Sequence, residues 1–250
     1  MWRLRRVNFI KGNRLKTAVD GGPPTAETLR RSWSLEQTAA IDGMAKATCG
    51  SGPMLHTRRH MASVVRAVDA VFARADVHRR EHYLISLPQR RNPSRRRDAI
   101  AGNDLTIGTF ILHRDAMKDR RAVDAAIAAQ IAEHARRRLD RADETTTAFP
   151  GYFPLPLYVW LLKKFRIFPR HSIGFTDYLA NQVPRDFLGC RVEDFSFWPV
   201  PTSPPGIIAA FCRFRGRLSF SLTYFSNACS ATTATDICHE LERQLGALCD

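Results

Sequence analysis

Between residues 206 and 225 the chain reads GIIAAFCRFRGRLSFSLTYF. Leu218, Phe220, Leu222 and Tyr224 alternate with Arg217, Ser219, Ser221 and Thr223, the period-two pattern of a half-buried antiparallel strand. The run before it is equally rich in strand formers, and Arg215-Gly216 supplies the tight reversal between them. Residues 233 to 248 then switch to helical spacing, with Ile237, Leu241, Leu245 and Leu248 on one stripe and Thr233 and Asp236 at capping-box separation. Strand, turn, strand and helix describe the end of a mixed α/β domain.

Upstream, the same two periods place most of the remaining elements. Residues 2 to 9 and 15 to 19 suggest a strand pair about Gly12-Asn13, and Gly21-Gly22-Pro23-Pro24 opens a linker predicted to run to about Ser32. Ser34 and Gln37 form a capping box for a helix ending near Cys49. A longer helix is predicted from Met54 to Ala75, with Met61, Val64, Val65, Val68 and Phe72 at helical spacing. Strands follow at Tyr83 to Leu87, closed by Pro88, and at Leu105 to Leu112; Asp119 to Arg138 returns to a helix. A polar linker (140 to 151) leads to an aromatic segment, Tyr152 to Phe168, which reads as a core helix or as one lying against a membrane surface. Strands are expected at His171 to Leu179 and Cys190 to Trp198, with a turn at Asn181 to Arg185 and a proline-rich connector from Pro199.

With 44% hydrophobic residues the 250-residue chain can bury a core. Its net charge of +14 rests on arginine, since only six lysines occur, and suits anionic partners without naming one. Arg90 to Arg97 holds five arginines and reads as a solvated loop or an anion-binding one. The six cysteines form no CxxC pair and read as reduced thiols of a cytoplasmic protein, and no apolar run is long enough to span a bilayer. His56 and His60 stand four apart, but without an HExxH arrangement or a third ligand they read as surface histidines, and no metal site is expected. The arginine clusters carry no nucleic-acid-binding motif, which leaves a basic nucleic-acid binder as a weak alternative.

Four stretches, LISLPQRRN (84 to 92), AGNDLTIGTFIL (101 to 112), LGCRVEDFSFWPVP (188 to 201) and the hairpin at 206 to 225, occur in an order that resembles the CoA-dependent acyltransferase superfamily. The likeness is to its C-terminal half, in members of the wax ester synthase/diacylglycerol acyltransferase and condensation-domain types, and covers roughly residues 31 to 249. It implies a chloramphenicol-acetyltransferase-like half-fold: a mixed, mostly antiparallel sheet packed by helices. Residues 1 to 30 would be an N-terminal strand pair and linker, a candidate remnant of the preceding half. One departure is Asn181-Gln182-Val183-Pro184, where the family commonly has Ser-Asn-Val-Pro.

By resemblance, the activity would be acyl transfer from a CoA or carrier-protein thioester to a hydroxyl or amine. Asn103, Thr176 and Asp177 would line the substrate tunnel, and Arg95, Arg96 and Arg97 would hold the donor's phosphates. The family's general base is the second histidine of HHxxxDG, because histidine titrates near neutrality. That motif does not occur in these 250 residues; Asp20 and Gly21 are a candidate remnant, with Leu15 and Lys16 in place of the histidines. The resemblance therefore implies a chain that is inactive alone. It would be completed by an N-terminal half or another copy, served by an acyl carrier protein, in the cytoplasm or peripheral to a membrane. The alternative is a non-catalytic binding module of the same fold.

Overall fold

The computed structural model describes residues 25–49, 54–75, 80–90, 105–137, 154, 156–157, 160, 171–179, 186–201 and 205–246. Among them a six-stranded sheet runs in the order β1 (Ala26–Ser32), β8 (Arg217–Phe225), β7 (Ile207–Phe214), β4 (Ile173–Leu179), β2 (His82–Arg90) and β3 (Leu105–His113). The β1–β8, β8–β7 and β2–β3 pairs are antiparallel, whereas β7–β4 and β4–β2 are parallel. The architecture is thus the expected mixed, mostly antiparallel α/β sheet. A separate two-stranded ribbon is made by β5 (Asp186–Phe187) and β6 (Cys190–Arg191).

The predicted β7–β8 hairpin is present, with Phe214 paired to Arg217. Arg215 (φ 49°) and Gly216 (φ 79°) both take the positive φ of a turn whose twist matches the strands. Leu218, Phe220, Leu222 and Tyr224 are buried beneath the helices as the alternation requires. The polar face is not solvated, however: Ser219, Ser221 and Thr223 are buried as well, so β8 is covered on both sides. Part of that second cover is the stretch from Val192 to Phe197, predicted as a strand. Beyond Arg191 it is irregular chain that packs Val192, Phe195 and Phe197 against Cys212 and Phe214.

The helical layer has α1 (Leu35–Cys49), α2 (Leu55–Arg74), α3 (Arg120–Arg137), preceded by a 3-10 turn at Arg114–Lys118, and α4 (Ala231–Leu245). The Ser34/Gln37 capping box forms at both of its bonds, Ser34 N to Gln37 Oε1 at 3.0 Å and Gln37 N to Ser34 Oγ at 3.1 Å. Helix α4 starts two residues before Thr233; its cap is Ser230, whose Oγ accepts from Thr233 N at 3.1 Å. Gly246 ends it at φ 72°. Helix α2 is the centre of the helical layer, buried from Arg58 through Phe72 except at Arg66, Asp69 and Ala70, and packed on α1, α3, α4 and the sheet. Two guanidinium groups, from the fully buried Arg59 and from Arg120, donate to the Gln244 carbonyl near the C-terminus of α4. Positive charge is favourable at that end of a helix.

Two further expectations are corrected. The linker predicted to reach Ser32 ends earlier, because residues 26 to 32 are β1, an edge strand paired with β8 from Ala26–Phe225 to Ser32–Ser219. Strand β2 also continues through Pro88 to Arg90; its parallel pairing with β4 covers only Ile85 and Ser86, so Pro88 needs to donate no hydrogen bond on that side.

Candidate functional site

Strands β4 and β7 run side by side, with Asp177 opposite Phe211 and Leu179 opposite Arg213. Successive residues of a strand face opposite sides of a sheet. Asp177 and Arg213 therefore turn toward the helices, whereas Thr176 turns away from them beside Ala210. The two tunnel residues expected on β4 do not share one surface. Asp177 is instead held beneath α2, its side chain only 5% exposed, and accepts from His60 Nδ1 at 3.2 Å.

His60 is not the surface histidine that the spacing with His56 suggested. It is 2% exposed and its ring stacks on Phe211 with centroids 4.1 Å apart. The sequence did hold a signal for this, since His60 lies on the row of Val64, Val68 and Phe72, four residues apart down the buried side of α2. One turn earlier, His56 remains 40% exposed, with Nδ1 3.3 Å from Asp42 Oδ1 on α1. Asp42 is already gripped by Arg213 through a bidentate pair of hydrogen bonds at 2.7 and 2.6 Å. Asp42, His56, His60, Asp177 and Arg213 thus tie α1 and α2 to the centre of the sheet.

The charges follow from these contacts. Burial works against ionisation of Asp177, but His60, a Thr57 hydrogen bond and Arg213 outweigh it and hold its carboxyl below the usual range. Asp42 is likewise desolvated, and its bonds to Arg213 outweigh the burial. For His56 burial is the larger influence and lowers its pKa despite Asp42. A histidine on a carboxylate is an arrangement that can hold a general base. His60, buried and stacked on Phe211, presents no surface to an alcohol, amine or thioester, so its pairing with Asp177 acts as an internal clamp. Among the described residues no group of three or more histidine, cysteine or carboxylate side chains could hold a metal ion.

On the opposite side of the sheet lies a cleft of about 420 Å³. Phe195 and Phe214 make its apolar lining on this side, Trp33 and Leu218 border it from the helix-side core, and Arg30, Arg217, Glu193 and Asp194 are its charged residues. Arg30 is engaged by Asp194. Asp20, Gly21, Arg95, Arg96, Arg97 and Asn103 lie outside the described residues, as does most of Tyr152 to Phe168. No described helix is long and apolar enough to cross a membrane.

No protein-family model matches the chain, and no curated protein matches it in sequence. Solved structures do match. The trichothecene 15-O-acetyltransferase TRI3 of Fusarium sporotrichioides superposes with a TM-score of 0.71 at 11% identity, over 98% of this chain and 50% of that one. The chain has the fold of the CoA-dependent acyltransferases. This acyltransferase fold is shared with the wax ester synthase/diacylglycerol acyltransferase of Marinobacter aquaeolei VT8 (TM-score 0.54, 12% identity, 89% of this chain and 48% of that one). It is also shared with the X-domain solved in complex with OxyB from teicoplanin biosynthesis (TM-score 0.59, 15% identity, 98% and 50%). The chain spans about half the length of each.

Proposed function

We propose that this chain is an acyltransferase-type half that binds an acyl thioester, from CoA or a carrier protein, and depends on a second half for the base that transfers the acyl group to a hydroxyl or amine. The observation that carries the reading is the match of nearly the whole chain to only half of acyltransferase structures. Two features support it. No HHxxxDG occurs in the sequence, and the His60–Asp177 pair, with side chains 2% and 5% exposed, is spent on holding α2 to β4. The donor's phosphates would meet Arg95, Arg96 and Arg97, and the apolar lining of the Phe195–Phe214 cleft would suit an acyl chain.

Equilibrium dialysis of the purified chain against a long-chain acyl-CoA tests this. Saturable binding that weakens when Arg95, Arg96 and Arg97 become alanine is expected, and the absence of any saturable binding would remove the thioester from the account. A second reading, a binding module, is favoured by the X-domain, an example of this fold solved in complex with another protein. Failure to bind any thioester, together with stable folding, would favour that reading.

A further inference from the structure

Leu105 to Leu112 on β3 contains only leucine, isoleucine, phenylalanine, threonine and glycine, with no charged residue and no proline. Uncharged, strand-forming runs of this kind pair readily with other chains when they lie on a sheet edge. β3 is such an edge. It ends the strand order of the six-stranded sheet, and its register with β2 runs without a bulge from His82–His113 to Arg90–Leu105. The opposite edge is built differently: β1 carries Glu27, Arg30 and Arg31, and charges discourage another strand from docking. Neither charge, proline nor bulge protects β3.

Its outer side is met by a side chain instead. Gln130 of α3 engages both main-chain groups of Ile111: the Ile111 N–H donates to Oε1 at 2.9 Å, and Nε2 donates to the Ile111 carbonyl at 2.8 Å. The carboxamide stands where the peptide group of a neighbouring strand would stand. Nε2 also donates to the Ala126 carbonyl at 3.3 Å, and His134, one turn further along α3, stacks on Phe110 with centroids 5.3 Å apart. These contacts hold the helix along the strand. Outward-facing main-chain groups recur at every second residue of an antiparallel strand, so Thr109 and Ile107 present theirs on the same side as Ile111. Among the described residues no strand pairs with them there, and Ile107 is 55% exposed.

We propose that Gln130 is a strand stop, whose carboxamide occupies the β3 edge as a false neighbour and keeps this uncharged run from extending the sheet with another chain. The edge left open ends at Thr109 and is too short for a stable ladder. What charge does for β1, a side chain from the helical layer does for β3. The inference is independent of thioester binding.

Gln130→Met in the full chain tests this, since it keeps the length of the side chain and removes both hydrogen bonds. At low protein concentration the Ile111 amide should exchange its hydrogen at least about tenfold faster than in the parent chain. Toward about 100 micromolar the variant should self-associate by light scattering, and the Ile107 and Thr109 amides, open in the parent chain, should become protected. Adding Ile107→Lys to Gln130→Met puts a charge on the open edge and should restore the monomer. Circular dichroism of each variant separates edge pairing from unfolding. Where Gln130→Met does not fold, Gln130→Asn serves in its place, because it keeps an amide but withdraws it from the edge. Unchanged Ile111 exchange in the folded variant overturns the proposal, as do Ile107 and Thr109 amides that stay unprotected at every concentration. Association that Ile107→Lys does not reverse overturns it too. So does concentration-dependent protection of those two amides in the parent chain, since Gln130 would then stop nothing.

Discussion

Replacing Asp177 by alanine probes the join between the helical layer and the sheet. The carboxylate and His60 are separated by 117 positions in sequence, and their side chains are 5% and 2% exposed. Removing the acceptor leaves the His60 Nδ1–H buried without a partner, which costs about 1–3 kcal/mol. The Thr57 hydrogen bond to the same carboxylate is lost as well, at about 1 kcal/mol. Relief from burying a carboxylate offsets part of this, so a net loss of roughly 2–3 kcal/mol is expected. For a chain of this length that lowers Tm by roughly 4–12 °C.

Urea unfolding followed by circular dichroism, at one fixed protein concentration, measures the loss. The exposed pair Arg191–Glu193, at 72% and 75%, serves as the contrast, and Glu193→Ala should cost less than about 0.5 kcal/mol. The double variant His60→Phe with Asp177→Val should recover at least about 1 kcal/mol relative to the sum of the single losses. Phenylalanine keeps the stack on Phe211 and needs no acceptor. A cost for Asp177→Ala within about 0.5 kcal/mol of zero, or strict additivity in the double variant, would refute the clamp.

Acidification should act on the same cluster in two stages. His56 has a lowered folded pKa, so stability begins to fall as pH drops through its unfolded value of about 6.5. The lowered carboxyls of Asp42 and Asp177 contribute stability above their unfolded values near 4 and lose it below, as they protonate toward their folded ones. Denaturation midpoints between pH 7.5 and 3 should show both declines, and His56→Gln should abolish only the upper one. At the sheet centre, a Cβ on Gly174 would lie 2.7 Å from Ile208 Cγ1 across the β4–β7 pair. Gly174→Ala should therefore cost about 1–3 kcal/mol, and Ile208→Ala in the same chain should return part of it, both read from urea midpoints.

Elements with a complete local signature were readable in sequence. The β7–β8 hairpin announces itself through alternation and Arg215-Gly216, and α1 through Ser34 and Gln37, because in each case the physical determinants lie within a few residues. Strand β1 does not. AETLRRS lacks alternation, carries charges suited to an edge, and is strand only because β8, nearly two hundred residues later, pairs with it. The stretch after Cys190 failed in the opposite sense. Val192, Phe195 and Phe197 look like strand residues, but they are held by side-chain packing on Tyr178 and Phe214 rather than by a ladder. That packing covers Cys212 and Phe214 on β7, and Ser219 and Ser221 on neighbouring β8 are buried as well, which no period-two reading of β8 could show. The candidate site was least legible because the parity of β4 sends Thr176 and Asp177 to opposite faces. Asp177 finds His60 only once α2 is packed on the sheet.

In the proposed function this half binds the thioester and a second half supplies the base. The measurement that tests it most directly is acyl transfer by the purified chain alone, with acyl-CoA as donor and a panel of alcohols and amines as acceptors, the products being read by mass spectrometry. No ester or amide above the protein-free control is expected, since HHxxxDG is absent and the His60 imidazole is sealed between Asp177 and Phe211. Sustained turnover would contradict the account and place a working base within this chain.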